Sequence, residues 1–114
     1  MVTKLGYSTY ALKMVDPFEA LPKIRRIGYD AIEICMRRGW PTYPGDFDIS
    51  SQKSLAKLSE RLGFPSPIFF GSIDVCAPEN AKDEMIKDTL VKFGMAKELH
   101  YDDTPILITT TTGH

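Results

Sequence analysis

The sequence predicts an α/β protein built from three strand–helix units followed by a fourth strand. Three observations carry this prediction. Apolar runs of strand length recur at 4–10, 31–36, 67–73 and 105–110, and amphipathic helix patterns fill the three intervals between them. The tetrapeptides Arg26-Ile27-Gly28-Tyr29 and Arg61-Leu62-Gly63-Phe64 close the first two helices in the same way, a weak internal repeat. Strands alternating with helices imply crossover connections, which are right-handed and place the strands parallel in one sheet.

Each helix has its own signals. The first, over 17–27, spaces Phe18, Leu21, Ile24 and Ile27 three residues apart. It opens with Asp16 as N-cap, Pro17 at the first helical position and Glu19 in the first turn. Pro22 lacks the amide that would bond back to Phe18, so a kink or a tight first turn is expected there. The second helix, over 51–62, places Leu55, Leu58 and Leu62 on one face and Lys53, Lys57, Glu60 and Arg61 elsewhere. The third, over 81–99 behind an Asn80 cap, carries Ile86, Leu90, Phe93 and Ala96 at helical spacing as its expected buried stripe.

The second strand decides between an open sheet and a closed one. Ile32, Ile34 and Met36 share one side, which suits a helix layer; Ala31, Glu33, Cys35 and Arg37 share the other. In an open doubly wound sheet both sides meet helices, and Glu33 would be costly to bury. A barrel lumen near its C-terminal mouth offers that carboxylate a partner or water. No Gly-x-Gly-x-x-Gly turn follows the first strand, so the usual mark of a dinucleotide-binding sheet is missing. The expected architecture is a partial (β/α)8 TIM barrel. A complete barrel needs about 250 residues, so residues 1–114 are expected to be the N-terminal half of one domain, truncated after its fourth strand.

Composition removes several function classes. A formal net charge of −1 leaves no surplus of Lys and Arg to neutralise phosphates, which argues against nucleic acid as a partner. The longest apolar run, around Phe69 and Phe70, is far short of a membrane span, and the N-terminus has no secretory-signal pattern. Cys35 and Cys76 are too few and too far apart for a disulfide framework or a Cys-x-x-Cys pair, and as reduced thiols they suit a cytoplasmic location.

In such a barrel the working residues lie at the C-terminal ends of strands and in the loops that follow. Ser8, Thr9 and Tyr10 offer hydroxyls after the first strand; Ser8 is equally explained as a small residue in a crowded lumen. Glu33 suits a substrate hydroxyl or a proton transfer, and Arg37 or Arg38 an anionic group; a lumen ion pair between Glu33 and Arg37 is the structural alternative. Trp40, in a proline-rich loop, offers an apolar wall to a sugar ring, or pins that loop. Ser72 follows Gly71 at the end of the third strand as a hydrogen-bond donor to a ligand oxygen; Asp74 is expected to be solvated. The threonines from Thr109 to Thr112 need no cause beyond strand propensity. His100 is expected to interact with the C-terminus of the third helix, and His114 to be mobile as a terminal residue. No metal-ligating constellation, Gly-x-Ser-x-Gly elbow or phosphate-cradling loop is visible, and no catalytic residue or metal ligand is assigned.

Leu5-Gly6-Tyr7-Ser8-Thr9-Tyr10, Ile27-Gly28-Tyr29-Asp30-Ala31-Ile32-Glu33-Ile34, Gly39-Trp40-Pro41-Thr42 and Thr109-Thr110-Thr111 together resemble the N-terminal half of the sugar phosphate isomerase/epimerase family, the xylose-isomerase-like barrels. The resemblance implies a divalent metal (Mn, Mg, Co or Zn) held by Glu, Asp and His residues of later strands. Two glutamates would move a proton beside the substrate carbonyl. All those ligand positions would lie beyond His114, so no metal is expected on this chain, and the chain alone is expected to be inactive. What carries over is a substrate-side wall for a small sugar or polyol: Glu33 and Trp40, with Tyr7 and Ser72 as weaker cases. The endonuclease branch of the superfamily fits poorly, since its strand-four histidine would align near Thr111. Two other readings stand beside the isomerase: a non-catalytic half-barrel that binds a ligand or pairs with a second half, its open edges inviting self-association, and a dehydratase or lyase in the same barrel.

Overall fold

A computed structural model describes residues 4–74 and 78–111. Its elements are β1 (Gly6–Ser8), a 3-10 turn (Thr9–Leu12), α1 (Pro17–Ile27), β2 (Ala31–Cys35), α2 (Ile49–Arg61), β3 (Ile68–Asp74), a second 3-10 turn (Glu79–Ala81), α3 (Lys82–Glu98) and β4 (Ile108–Thr111). The four strands form one sheet in chain order, and every neighbouring pair is parallel. The α/β class and the alternation of elements therefore agree with the sequence reading.

The local signals act as their chemistry requires. The Asp16 carboxylate accepts from the Phe18 amide at 2.8 Å, and α1 then runs through Pro22 to Ile27. Gly28, at φ +116°, donates to the Arg25 carbonyl while Tyr29 donates to that of Ile24. Gly63, at φ +84°, and Phe64 repeat the pattern with the carbonyls of Glu60 and Ser59. Both helices thus end in the paired bonds of a Schellman motif, which needs the left-handed backbone that glycine adopts without a Cβ penalty. Asp48 caps α2 by accepting from the Ser51 amide at 2.7 Å.

One apolar core unites the helices with one face of the sheet. Ala20, Leu21 and Ile24 of α1, Leu55 of α2, and Met95 and Ala96 of α3 join Ile32, Ile34 and Phe69 there, with Met36 and Leu99 from the flanking segments. The parity expected for the second strand holds, since Ile32, Ile34 and Met36 are buried under helices. β3 and β4 approach closely: a Cβ on Gly71 would lie 2.6 Å from Ile108 Cγ2 and 3.1 Å from the Thr109 carbonyl oxygen. Only a residue without a side chain fits that crossing.

The third helix departs from expectation in two respects. Asn80 does not cap it. That residue lies inside the 3-10 turn before α3, whose N-terminal boundary residue is Ala81, with no side-chain cap. The expected buried stripe is also out of phase: Ile86, Leu90 and Phe93 are exposed, Leu90 by 63%, while Lys92, Met95, Ala96 and Leu99 are buried. Of the expected stripe only Ala96 faces the core. Apolar residues stand at helical spacing on two sides of this helix, so periodicity alone does not choose the inner one.

The segment between α3 and β4 is pegged by polar contacts. The Tyr101 hydroxyl donates to the Phe64 carbonyl at 2.8 Å and lies 2.7 Å from the Ser59 hydroxyl. Asp102 accepts from the Ser66 amide at 2.8 Å. His100 turns its ring onto the Thr104 carbonyl of this loop. Among the described residues no buried side-chain polar atom lacks a hydrogen-bond partner.

Candidate functional site

The parity that buries Ile32 and Ile34 turns Glu33 to the other face of the sheet. Parallel register sets Ser8 of β1 directly beside it. The Ser8 hydroxyl donates to Glu33 Oε1 at 2.6 Å, and the same oxygen accepts from the Tyr10 amide at 3.1 Å, so Ser8 also caps the first 3-10 turn. Next along β2, the Cys35 amide donates to the buried Thr9 hydroxyl at 2.8 Å, and Thr42 closes the loop by donating to the Cys35 carbonyl. These bonds fix the C-terminal ends of β1 and β2 and the loop between Met36 and Phe47 as one rigid corner.

A cleft of about 280 Å³ opens at this corner, lined by Tyr7, Ser8, Tyr10, Ala11, Glu33 and Phe70. A second hollow of about 240 Å³ shares Tyr7, Ser8 and Glu33 and is lined also by Ile68. The Glu33 carboxylate and the Ser8 hydroxyl therefore sit among tyrosine, phenylalanine and apolar surfaces, the pattern of a site that fixes a small polar ligand by few directed contacts.

Trp40 is held behind this cleft. Its ring stacks on Tyr10 with centroids 5.1 Å apart and planes 18° apart, and its indole N–H donates to the Tyr10 carbonyl at 3.0 Å. Tyr10 in turn tilts onto Phe70 at 5.4 Å. Tyr10, 45% exposed, presents the open aromatic surface, with Trp40 as its support. Arg37 does not pair with Glu33 among the described ion pairs; its guanidinium lies 5.4 Å from the Trp40 ring centre, and the Lys13 ammonium lies 4.8 Å from the same ring. The structure thus replaces the lumen ion pair by a Ser8–Glu33 hydrogen bond and a cation–π contact.

The remaining sequence candidates fall at different places. Tyr7 reaches the cleft from the edge of the sheet, its ring packed 5.1 Å from that of Tyr29. Ser72 stands apart, in the left-handed region at φ +52°, where the β3–β4 register shifts. Its carbonyl lies 3.5 Å from Lys92 Nζ. His114 and Cys76 lie outside the described residues.

Sequence reasoning missed a second polar group. Lys92, 3% exposed, pairs with Asp88 at 2.7 Å, and the Tyr43 hydroxyl donates to Asp88 at 3.2 Å. Desolvation, reinforced by the Asp88 charge, raises the Tyr43 pKa. Burial likewise pushes the Cys35 thiol up, with the Glu33 charge adding to it. The only sequence signal for this group is an Asp and a Lys four residues apart, which is common on exposed helix faces. Lys13 was missed for a similar reason: nothing local ties it to a ring 27 positions on.

The metal implied by the family resemblance would need several ligating side chains at one place. Among the described residues no three His, Cys, Asp or Glu side chains come together in that way. The described residues do not supply such a ligand set. In comparisons with known proteins, no family model, curated protein or solved structure matches the chain.

Proposed function

We propose that this chain forms the substrate-side wall of a sugar or keto-polyol isomerase or epimerase built on a (β/α)8 barrel, and that alone it binds ligand without turning it over. The observation that carries the reading is the Ser8–Glu33 pair at 2.6 Å, set among aromatic walls at the C-terminal ends of adjacent parallel strands. Strand order supports the barrel. A doubly wound sheet reverses its order at a switch point, whereas here four strands follow in sequence with α1, α2 and α3 packed on one face. The opposite face keeps Ser8 and Glu33, as a lumen requires.

Chemically, the Glu33 carboxylate accepts hydrogen bonds from ligand hydroxyls. Ser8 holds one of its oxygens, which leaves the other for the ligand. The Tyr10 and Phe70 rings suit the C–H surfaces of a sugar or cyclic polyol. Isomerisation moves a proton between adjacent carbons; a carboxylate is a competent carrier, but the polarising group opposite it is not among the described residues.

Calorimetric titration with a neutral polyol such as sorbitol or myo-inositol tests the reading. Saturable binding that Glu33→Gln weakens about tenfold is expected, the equivalent of one charge-assisted hydrogen bond. Absence of binding at tens of millimolar polyol would overturn it, as would isomerisation by a verified 114-residue sample supplied with manganese, magnesium or cobalt.

A second reading, pairing with another half-barrel, is favoured by the exposed Ile86, Leu90 and Phe93 on α3 and by edge strands β1 and β4 with one neighbour each in the four-stranded sheet. Light scattering after size exclusion distinguishes it, because a defined dimer supports pairing and a monomer does not.

A further inference from the structure

On the outer surface, α2 and α3 leave a groove of about 300 Å³ between the start of the one and the second half of the other. Phe47, Ile49, Val91 and Met95 give it apolar walls, and Ile49 and Val91 are more than half exposed. It shares no lining residue with the Glu33 cleft, so a ligand here is independent of the isomerase reading.

Acceptors dominate its polar side chains. Asp48 and Glu98 contribute carboxylates, and the ion pairs among the described residues, Lys82–Glu79, Lys92–Asp88 and His100–Asp102, take up neither. Bonds from the Ser51 amide, and next from its hydroxyl, hold the Asp48 carboxyl below its usual range. Glu98 ends α3, where the helix carbonyls add negative potential. Gln52, 6% exposed, lines the groove and donates its amide nitrogen to the Phe47 carbonyl at 2.8 Å. Its own carbonyl oxygen has no partner among the described residues and can only accept. Among the described residues no Lys, Arg or His lines the groove.

Gly94 is a second pointer. It stands inside α3, where glycine is among the poorest helix formers. Its backbone is not in the left-handed region, unlike that of Gly28, Gly39 and Gly63. A Cβ there would meet nothing within 4 Å, so the packing of this chain does not call for glycine either. What its bare backbone does is leave the groove wall open. Gly94 and Glu98 are one turn apart on one face of α3, about 6 Å along the axis, and Val91 continues that face. A cationic head at Glu98 therefore has a clear apolar bed beside it, over Gly94 towards Val91.

We propose that this groove binds a small organic cation, with its ammonium on Glu98 and its apolar stem laid over Gly94 against Val91 and Ile49. The volume lies at the small end of ligand pockets and suits a single stem. An ammonium supplies three donors and no acceptor, which matches walls that offer carboxylates and a carbonyl.

Amide resonances of the isotope-labelled chain localise the ligand. Phenethylammonium, phenylpropionate and ethylammonium are titrated separately at constant ionic strength. Phenethylammonium is expected to shift the Ile49, Val91 and Gly94 amides saturably. Phenylpropionate keeps the ring and reverses the charge, ethylammonium keeps the charge without the ring, and each should bind at least about tenfold more weakly. Glu98→Gln should weaken phenethylammonium binding about tenfold, the loss of one charge-assisted contact. Gly94→Ala should move two readouts in opposite directions. The melting temperature should rise by about 4 °C, because alanine is the better helix former, while affinity should fall about tenfold, because the methyl enters the groove. A glycine without a ligand role would not separate the two. The site is overturned if no saturable shift occurs, if phenylpropionate binds as tightly, or if both variants keep the parent affinity. A dimer in light scattering that Val91→Glu dissociates would also overturn it, by showing that a second copy of the chain fills the groove.

Discussion

Ser8 and Glu33 are register partners on adjacent parallel strands, and the serine hydroxyl donates to the carboxylate at 2.6 Å. This pair ties two strand ends together at the edge of the sheet that opens to the cleft. Serine in this place serves one acceptor and one donor at once, because its oxygen also receives the Tyr10 amide.

Ser8→Ala removes both bonds and leaves a half-buried carboxylate with one donor fewer. A loss of about 1 kcal/mol in urea-denaturation stability is expected, with a larger loss in polyol affinity. Ser8→Thr, which keeps the hydroxyl, restores the affinity if the strand end tolerates the extra methyl. Equal stability of Ser8→Ala and the parent would mean that the bond contributes nothing.

The parts of this fold that were legible in the sequence are those decided locally. Asp16 and Pro17 start a helix whatever surrounds them, and Gly28 and Gly63 end one by backbone conformation alone. Strand parity around Glu33 was legible because its apolar neighbours are unambiguous. The phase of α3 was not, because Ile86, Leu90 and Phe93 look as core-like in sequence as Met95 and Leu99 do, and tertiary contact chooses between them. The Tyr10–Trp40 stack spans 30 positions, and no periodicity encodes such a pairing. Lys92 was hidden because charge argues for exposure; Asp88 stands one helical turn away in the sequence, but only the fold buries the lysine and brings up the Ser72 carbonyl.

The phase of α3 is open to direct measurement. Met95→Ala removes a side chain that is 1% exposed and is expected to cost about 2–5 kcal/mol, whereas Leu90→Ser, at a position 63% exposed, should fall within about 0.5 kcal/mol of the parent. Guanidinium midpoints decide it. A large loss in Leu90→Ser would show that the outer face of the helix is covered in solution.

Breaking the Lys92–Asp88 pair should be asymmetric. The lysine side chain is 4% exposed and the aspartate 30%. Asp88→Ala leaves a buried ammonium without its counter-charge and is expected to cost about 3 kcal/mol. Lys92→Met keeps the volume, leaves the aspartate a route to water and should cost less. The double variant should be more stable than Asp88→Ala alone. A double variant no more stable than Asp88→Ala would indicate that the lysine itself, through its contact near the Ser72 carbonyl, carries the stabilisation.

Asp102 contributes to the acid side of the stability profile. The Ser66 amide, and next the Thr104 hydroxyl, hold its carboxyl far below the usual range. A depressed folded-state pKa means that the unfolded chain binds the proton more readily. The contribution is therefore complete above the unfolded value of about 3.9 and is lost as pH falls through the folded one. Asp102→Asn should lower the melting temperature at pH 6, and the gap to the parent should close in strong acid. A gap that does not change between those conditions would rule out the carboxylate as its cause.

Cys35 acts on the alkaline side with the opposite sign. Burial raises its thiol pKa, so the folded state favours the protonated form that the unfolded chain gives up near pH 8.5. Its contribution is complete below that pH and fades as pH rises through the folded-state value. With no exposed surface, the thiol should also be unreactive until the chain opens. In a Cys76→Ala background, a thiol reagent at pH 8 should label the folded protein orders of magnitude more slowly than the denatured protein, and urea should accelerate labelling in step with unfolding. Adding Cys35→Ala should flatten the decline of stability above pH 9. Rapid labelling under native conditions would show that the corner formed by Thr9, Cys35 and Thr42 opens on its own, and the rigid placement of Glu33 and Trp40 on either side of it would fall with that result.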